Sequence, residues 1–548
     1  MLQLGISAFY HDAAACIFKN GKLIAAIEEE RFTEIKHDSS FPINSINWCL
    51  EKVKSDISKV DEVCWYENPI LKEDRVFKTL NKKWWKTFFL KKAYEKKSFY
   101  QSPFRILKEM GYSGDIIFIP HHESHAALSY FTSPYTDASI VTVDGVGEWE
   151  TATVSRANGG EIQKIFSINY PNSLGLFYST FTAYLGFKPN EGEYKMMGLA
   201  PFGDPNRYYP ILYKIFGDSK TIDINQKYFG WGYSKEKMFT KKLFKLLNLP
   251  PRLPGDKITQ KHKDLAAAVQ KTYEREFLKI VLSSKSFTDS NNLCLGGGCA
   301  YNGVANNKAY KFYKNIFIPF SPTDAGSAIG AVLAKNKKHI RIKPYLGYKA
   351  TQHEITSVLE EYKDKIISKK HSFKTIPNIV AKSIKLNKIV AWYQNEMEFG
   401  ARALGNRSIL ANAQDPNMQS KLNQVIKKRE EFRPFAPSVT EEEASKYFDI
   451  KGKVPYMNQV VKAKTNLFPS ATHVDNTCRV QTVSKKDNML YYNLLKEIGK
   501  ETGHEVVLNT SFNLKDQTIT MTPRQALERF VYSDIDFLVI GEYFIHKR

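Results

Sequence analysis

Cysteine is scarce and unpatterned. The chain has six in 548 residues, Cys16, Cys49, Cys64, Cys294, Cys299 and Cys478, and no two form a CxxC pair. Zinc-ribbon and thioredoxin-type readings therefore find no support. A chain this long buries a core without disulfide staples, and reduced thiols in a cytoplasmic protein are the simplest account. Long apolar runs are missing too: none reaches the roughly 18 residues that span a bilayer. The N-terminus, MLQLGISAFYHDAAACIF, has no basic leader and carries His11 and Asp12, so it does not read as a signal peptide. A composition of 43% hydrophobic and 25% charged residues excludes disorder and collagen-like repetition for the chain as a whole. Histidine is also rare, 12 residues in all, so any place where it clusters carries weight.

What the chain has in excess is positive charge. Lys and Arg number 79 against 57 Asp and Glu, a formal net charge of +22. Such a surplus invites a nucleic-acid or anionic-surface reading, against the plainer account of lysines spread over solvated faces. The densest part runs from Lys72 to Lys97, with ten basic residues against three acidic ones. There Trp84, Trp85, Phe88 and Phe89 interleave with lysine. Their i, i+1, i+4, i+5 spacing predicts an amphipathic helix burying one face.

At roughly 100–200 residues per domain, the length predicts two to four domains. The first stretch reads as strands LQLGISAFY, AAACIFKN and LIAAIEEERF. Asn20-Gly21 is a hairpin turn signal, because both positions tolerate positive φ. A helix (PINSINWCLEKV), two strands (EVCWYE, IIFIP) and a helix (ESHAALSYF) follow. The second stretch repeats this order. It has SIVTVDGVGEW, then a hairpin about Asn158-Gly159, helices at SLGLFYSTFTAYLG and DLAAAVQKTYEREFLKIVL, then NLCLGGGCAYNGVANNKAY and IFIPFSPTDAGSAIGAVLA as strand–loop–helix units. IIFIPHHESHAALSYF and IFIPFSPTDAGSAIGAVLA end the two copies alike. The expectation is a duplicated α/β domain over 1–340, with repeats at about 1–138 and 139–340 and a cleft between them. The basic stretch from Lys335 marks its edge, and 341–548 reads as a further α/β domain of ordinary size.

Several constellations could carry chemistry. In HHESH, His121 and His125 lie four apart, on one face of a helix, where two imidazoles can share a metal ion; His122 points elsewhere. In VDGVGEWE, Asp144 ends a strand before Gly145 and Gly147; glycine loops after strands let backbone N–H groups approach phosphates. Gly296, Gly297 and Gly298 form a second such loop, and SPTDAGSAIG a third, with Asp324 at a helix start. An aspartate there is also a good helix cap. Three such loops together fit a nucleotide cleft. GISAFYHDAAA and EEERFTEIKHD add mixed charges, among them His11, Lys36 and His37. In the C-terminal domain Arg402, Arg407, Arg433 and Arg479 lie beside Gly, Pro or Ser/Thr. Guanidinium groups suit a bidentate grip on phosphate or carboxylate, which suggests a shared anion site.

Taken in order, EEERFTEIKHD, HHESHAA, VDGVGEWETAT, GLFYSTFTAYLGF, EGEYKMMGLAPFG, LGGGCAYNGVAN, SPTDAGSAIGA, GARALGNRSILA, REEFRPFAPSV, RVQTVS and NTSFN resemble the NodU/CmcH O-carbamoyltransferase family over nearly the whole chain. The resemblance implies a duplicated actin-like ATPase (ribonuclease H-like) fold of the TsaD type, followed by a YrdC-like domain. It implies that the YrdC-like domain makes carbamoyl adenylate from carbamoyl phosphate and ATP. The first domain, with an iron(II) ion, then transfers the carbamoyl group to an acceptor hydroxyl; Mg²⁺ is expected with ATP. His121, His125, Asp144 and Asp324 correspond to the family's metal ligands, an N/O set that suits iron(II) or another divalent metal. His11 and Lys36 correspond to positions near the transferred group, one as general base and one offsetting adenylate charge. Gly296, Gly297 and Gly298 correspond to the nucleotide loop of the first domain. Arg402, Arg433, Arg479, Asn509 and Ser511 correspond to the nucleotide and anion site of the second, which Arg407 adjoins. Asn406 stands where many relatives have histidine.

The expected acceptor is a hydroxyl of a small molecule, such as a sugar or natural product. The +22 charge keeps a hydroxymethylated base in DNA as an alternative, since aromatics beside cations suit single-stranded or flipped-base substrates. A non-catalytic actin-like nucleotide-binding scaffold is the third reading.

Overall fold

The computed structural model describes residues 1–80, 102–217, 221–231 and 237–548. Trp84, Trp85, Phe88 and Phe89 lie outside the described residues. The chain divides into two compact units: Met1–Glu29 with His37–Ile342, and Glu30–Lys36 with Lys343–Arg548. The excursion of seven residues into the second unit has no signal in the sequence.

The first unit holds two sheets of five strands. One contains β1 (Leu2–Ser7), β2 (Ala14–Lys19), β3 (Lys22–Glu28), β4 (Glu62–Trp65) and β5 (Ile116–Phe118), in the order β3-β2-β1-β4-β5. The other contains β6 (Asp137–Val143), β7 (Glu150–Asn158), β8 (Glu161–Asn169), β9 (Asn292–Gly296) and β10 (Asn315–Phe317), in the order β8-β7-β6-β9-β10. The pairings repeat as well. The first three strands of each sheet are antiparallel, and the last two add in parallel beside the first. This is a duplicated ribonuclease H-like, actin-like ATPase fold.

Local chemistry sets the register. Asn20 and Gly21 take φ of +52° and +74°, and Lys19 pairs with Lys22, the two-residue turn that Asn-Gly favours. In the second sheet the turn lies one residue later than expected. Asn158 pairs with Glu161, and Gly159 and Gly160 take the positive φ values, because glycine enters that region without steric cost.

Helices cover both sheets: α1 (Ile43–Lys52), α2 (His121–Phe131), α3 (Leu174–Tyr184), α4 (Gln260–Ser286) and α5 (Asp324–Asn336). Helices α2 and α5 pack on each other, α5 against β1 and α2 against β6 and β9. All residues of β1 are buried, as expected for a strand covered on both faces. Gly5 is needed there, since a Cβ would stand 2.1 Å from the Ala328 carbonyl of α5. The helices that end the two copies thus meet near the middle of the unit.

In the second unit the strands are β11 (Ile366–Lys370), β12 (Val390–Tyr393), β13 (Arg407–Ala411), β14 (Ala436–Thr440), β15 (Val461–Lys462), β16 (Thr477–Cys478), β17 (Gln481–Val483), β18 (Val506–Ser511), β19 (Phe537–Ile540) and β20 (Tyr543–Lys547). Eight of them form a mixed sheet, β11-β20-β19-β12-β13-β18-β14-β17, and β15 pairs with β16 alone. Along β12 alternate residues enter opposite cores, Ala391 and Tyr393 on one side and Val390 and Trp392 on the other, as a period of two requires. Helices α6 (Ile376–Lys385) and α7 (Met489–Thr502) cover the second face, while α8 (Pro523–Val531) contributes Ala526, Leu527 and Phe530 to the first.

Candidate metal centre and anion site

Four potential ligands converge in the first unit. His121 and His125 project from α2, Asp144 follows β6, and Asp324 opens α5. One ligand atom from each lies within 4.8 Å of all the others. The two Nε2 atoms are 3.1 Å apart. Asp144 Oδ2 is 3.3 Å from His121 Nε2 and 3.0 Å from His125 Nε2. Asp324 Oδ1 is 3.7 Å and 3.5 Å from the same two nitrogens. All four residues are at most 5% exposed. Both oxygens of Asp324 and Nδ1 of His121 are buried without a hydrogen-bond partner among the described residues. Asp324 therefore does not cap its helix. Buried carboxylates left unpaired cost several kcal/mol. Asp324 and Asp144 facing two imidazoles form a donor set that a divalent cation satisfies, and two nitrogens with two oxygens suit iron(II) or a neighbouring metal.

Surrounding groups hold the ligands. Helix α2 begins after Pro120, with no side-chain cap. The buried Glu148 carboxylate instead accepts from the His121 N–H with both oxygens, at 3.0 and 3.2 Å, and from the Asn68 N–H at 2.6 Å. The His125 Nδ1 lies 3.0 Å from Ser327 Oγ. His122 turns away to Thr142 Oγ1 and the Glu150 carbonyl; burial, with help from His121 and His125, holds its pKa well below the usual value. Burial also works to lower His121, but Asp324, Asp144 and Glu148 outweigh it and push it up to about 9. Desolvation opposes ionisation of Asp144, and its two histidine partners overcome that and hold it well below the usual carboxylate range.

The glycine loops border this cluster. Gly145 N–H donates to Asp144 Oδ1 at 2.7 Å, and a Cβ on Gly147 would press on the His121 ring at 2.9 Å. Gly296 backs onto the His125 carbonyl, and Gly298 stands beside Asp144 Oδ1. Gly297, at φ +85°, passes so near the Val143 carbonyl that a Cβ would lie 2.2 Å from it. His11 joins from the β1–β2 loop, its Nε2 4.0 Å from Asp324 Oδ2. Asp12 bridges two imidazoles, Oδ2 to His11 Nδ1 at 3.1 Å and Oδ1 to His37 Nδ1 at 2.5 Å. Burial pulls the His11 pKa down, and Asp324, Asp12 and Asp144 together raise it to about 10.

The second unit gathers cations around the buried Lys427. Its Nζ donates to the Ser511 carbonyl at 2.5 Å and to the Asn513 carbonyl and Oδ1 at 2.9 and 2.8 Å. Burial, then Arg429, Arg433, Lys36 and Arg529, drive its pKa well below the usual lysine value. Arg429 is held by Asn423 Oδ1 and lies over Phe435. Arg529 donates to Thr518, Thr520 and Glu34. Nearby on β18, the Asn509 amide donates to the Ala403 carbonyl, Ser438 Oγ and Gln481 Oε1, and its Oδ1 is buried without a partner among the described residues.

A family model described as the carbamoyltransferase N-terminus matches residues 2–333, and one described as the carbamoyltransferase C-terminus matches residues 381–547. The chain belongs to the carbamoyltransferase family. Its relatives include an uncharacterised protein of Synechocystis, 36% identical over 99% of this chain and 96% of that one. The nodulation protein NolNO of Sinorhizobium fredii is 31% identical over 99% of this chain and 80% of its own. An uncharacterised protein of Methanocaldococcus jannaschii is 31% identical over 98% of both chains.

In this carbamoyltransferase the structure gathers His121, His125, Asp144, Asp324, His11 and the glycines of both loops. Lys36, expected beside His11, groups with the second unit, where its charge bears on Lys427. Ser511 lies beside that lysine, its hydroxyl donating to Asn513 Oδ1 at 2.8 Å. Arg402 and Arg479 are half-buried, on segments whose Ala403 carbonyl and Gln481 side chain receive Asn509. Arg433 is half-buried and lies 3.6 Å from Glu430. Arg407 corrects the expectation of an anion-binding fork. It is fully buried, stacks on Tyr393 at 3.6 Å, and gives its guanidinium to the carbonyls of Gln394, Asn406, Tyr348 and Asn395. Asn406 is structural as well, bridging the Glu396 carbonyl and Asn488. Sequence reasoning missed Glu148, Ser327, Lys427, Arg429 and Asn513. Arg429 opens the REEFRPFAPSV segment, with Lys427 two residues before it, but nothing local marks which lysine is buried. Among the described residues no helix is long and apolar enough to cross a membrane.

Proposed function

We propose that this carbamoyltransferase is ATP-dependent and acts on a hydroxyl of a small molecule. The second unit uses carbamoyl phosphate, ATP and water to make carbamoyl adenylate, releasing inorganic phosphate and pyrophosphate. The first unit transfers the carbamoyl group to the acceptor oxygen, releasing AMP and the hydroxyl proton. The observation that carries this reading is the buried cluster His121, His125, Asp144 and Asp324 set against two glycine loops. It supports a site that receives a phosphorylated, activated group rather than a simple nucleotide switch. A divalent ion there would supply Lewis acidity toward a carbonyl or phosphoryl oxygen.

The chain's own groups divide the remaining work. Backbone N–H groups of the glycine loops suit the phosphate of the adenylate. His11, held by Asp12, takes the hydroxyl proton at Nε2, and Asp12 keeps the ring turned toward the cluster. In the second unit, Arg429, Arg433 and Lys36, whose charges converge on Lys427, hold the phosphates, and Asn509 Oδ1, without a partner among the described residues, accepts from an amino group of the carbamoyl moiety.

The test is incubation with carbamoyl phosphate, ATP and iron(II), with and without sugars, natural-product alcohols or hydroxymethylated DNA. AMP formation and the carbamoyl mass increment on a small alcohol are expected. No pyrophosphate in any mixture would overturn the adenylate step, and a mass increment on DNA alone would reassign the acceptor.

A further inference from the structure

Helix α5 supplies more to the cluster than a carboxylate. Asp324 and Ser327 lie three residues apart, so both side chains face α2. Ser327 is fully buried. Among the described residues its hydroxyl bonds only His125 Nδ1, at 3.0 Å. Buried hydroxyls within helices usually bond back to the carbonyl four residues earlier. Thr180 and Thr272 do so here, to Leu176 and Ala268, both at 2.8 Å. Ser327 forgoes that bond and spends its oxygen on an imidazole of another helix. The two histidines therefore differ: His125 is held at both ring nitrogens, whereas Nδ1 of His121 has no partner among the described residues.

We propose that Ser327 is a positioning residue that sets the ring orientation and tautomer of His125 for metal binding. The proposal rests on the metal reading of the cluster. An imidazole that donates Nδ1–H to Ser327 presents a bare Nε2, beside His121 Nε2 and Asp144 Oδ2. Without the hydroxyl, the buried N–H loses its acceptor, the ring gains freedom and the other tautomer competes. Outer-shell partners of this kind change metal affinity by about 10–100-fold when removed.

The experiment uses the full chain, stripped with chelator and titrated with Co(II) alone, read by its visible ligand-field bands and by competition. S327A removes one oxygen and keeps a good helix former, so the metal-free melting temperature serves as the folding control. T272A removes a buried helical hydroxyl that serves only Ala268. The expected result is a Kd raised about 10–100-fold in S327A with altered bands, and an unchanged Kd in T272A. Ring-labelled histidine spectra should show a mixed tautomer for one histidine in S327A. Equal affinity in S327A and the wild type would overturn the role of Ser327 and leave the metal reading intact. Equal weakening in T272A would also overturn it. No Co(II) binding by the wild type would remove the metal reading and this proposal together.

Discussion

Replacing Asp324 with asparagine should separate the stability of the fold from the demand of the site. Asp324 is fully buried, and among the described residues neither oxygen has a hydrogen bond. Its nearest polar neighbours are imidazoles, His125 at 3.5 Å, His121 at 3.7 Å and His11 at 4.0 Å. An uncompensated buried carboxylate costs several kcal/mol, of which the neighbouring imidazoles offset a part. Asparagine removes the charge at nearly constant volume. In chelator, Asp324→Asn should therefore melt at or above the wild-type temperature. With Co(II) at 100 times its Kd, the wild type should gain about 2.7 kcal/mol, worth about 3–6 °C in a unit of this size, and the variant almost nothing. Calorimetry with chelator and with Co(II) measures both effects. A chelated variant melting more than about 3 °C below the wild type would refute the claim of an unpaired charge. A variant stabilised by Co(II) as much as the wild type would refute the ligand assignment.

Glu148→Gln should weaken Co(II) binding about tenfold, because its carboxylate anchors the first turn of the helix that bears both histidines; direct titration checks this. Arg407→Met should destabilise the second unit by about 3–5 kcal/mol, since it strips buried carbonyls of their donors, whereas Arg433→Ala should raise KM for carbamoyl phosphate with little change in melting; denaturation and pyrophosphate-release kinetics distinguish the two. Gly5→Ala should cost about 3 kcal/mol or more, because its Cβ meets the Ala328 carbonyl at 2.1 Å, and should loosen α5 and with it Asp324. His37→Leu should slow carbamoyl transfer about tenfold while pyrophosphate release stays unchanged, as Asp12 loses one of the two imidazoles that hold it.

Much of the first unit is written in short-range patterns. Asn20-Gly21 makes its turn, and strand–loop–helix units recur in one order, because turn chemistry and side-chain period act over a few residues. The spacing of His121 and His125 needs only the pitch of a helix. Asp144 and Asp324 stand where any strand end and helix start would put them.

The partners of buried polar groups are another matter. Ser327 meets His125 across 202 positions of sequence, and Glu148 meets the His121 N–H across 27. Arg407 looked like Arg433, yet one feeds buried carbonyls and the other lies half-buried beside Glu430. Lys427 and Lys428 are neighbours in one charged run, and only the first is buried against Ser511 and Asn513. Burial makes an unpaired polar atom expensive, and which atoms are buried together is a property of the packed chain rather than of any segment. The scarce cysteines, the absent apolar spans and the repeated α/β order were thus legible residue by residue. Which arginine is buried against carbonyls, which lysine is buried and which hydroxyl meets a histidine follow from long-range packing alone.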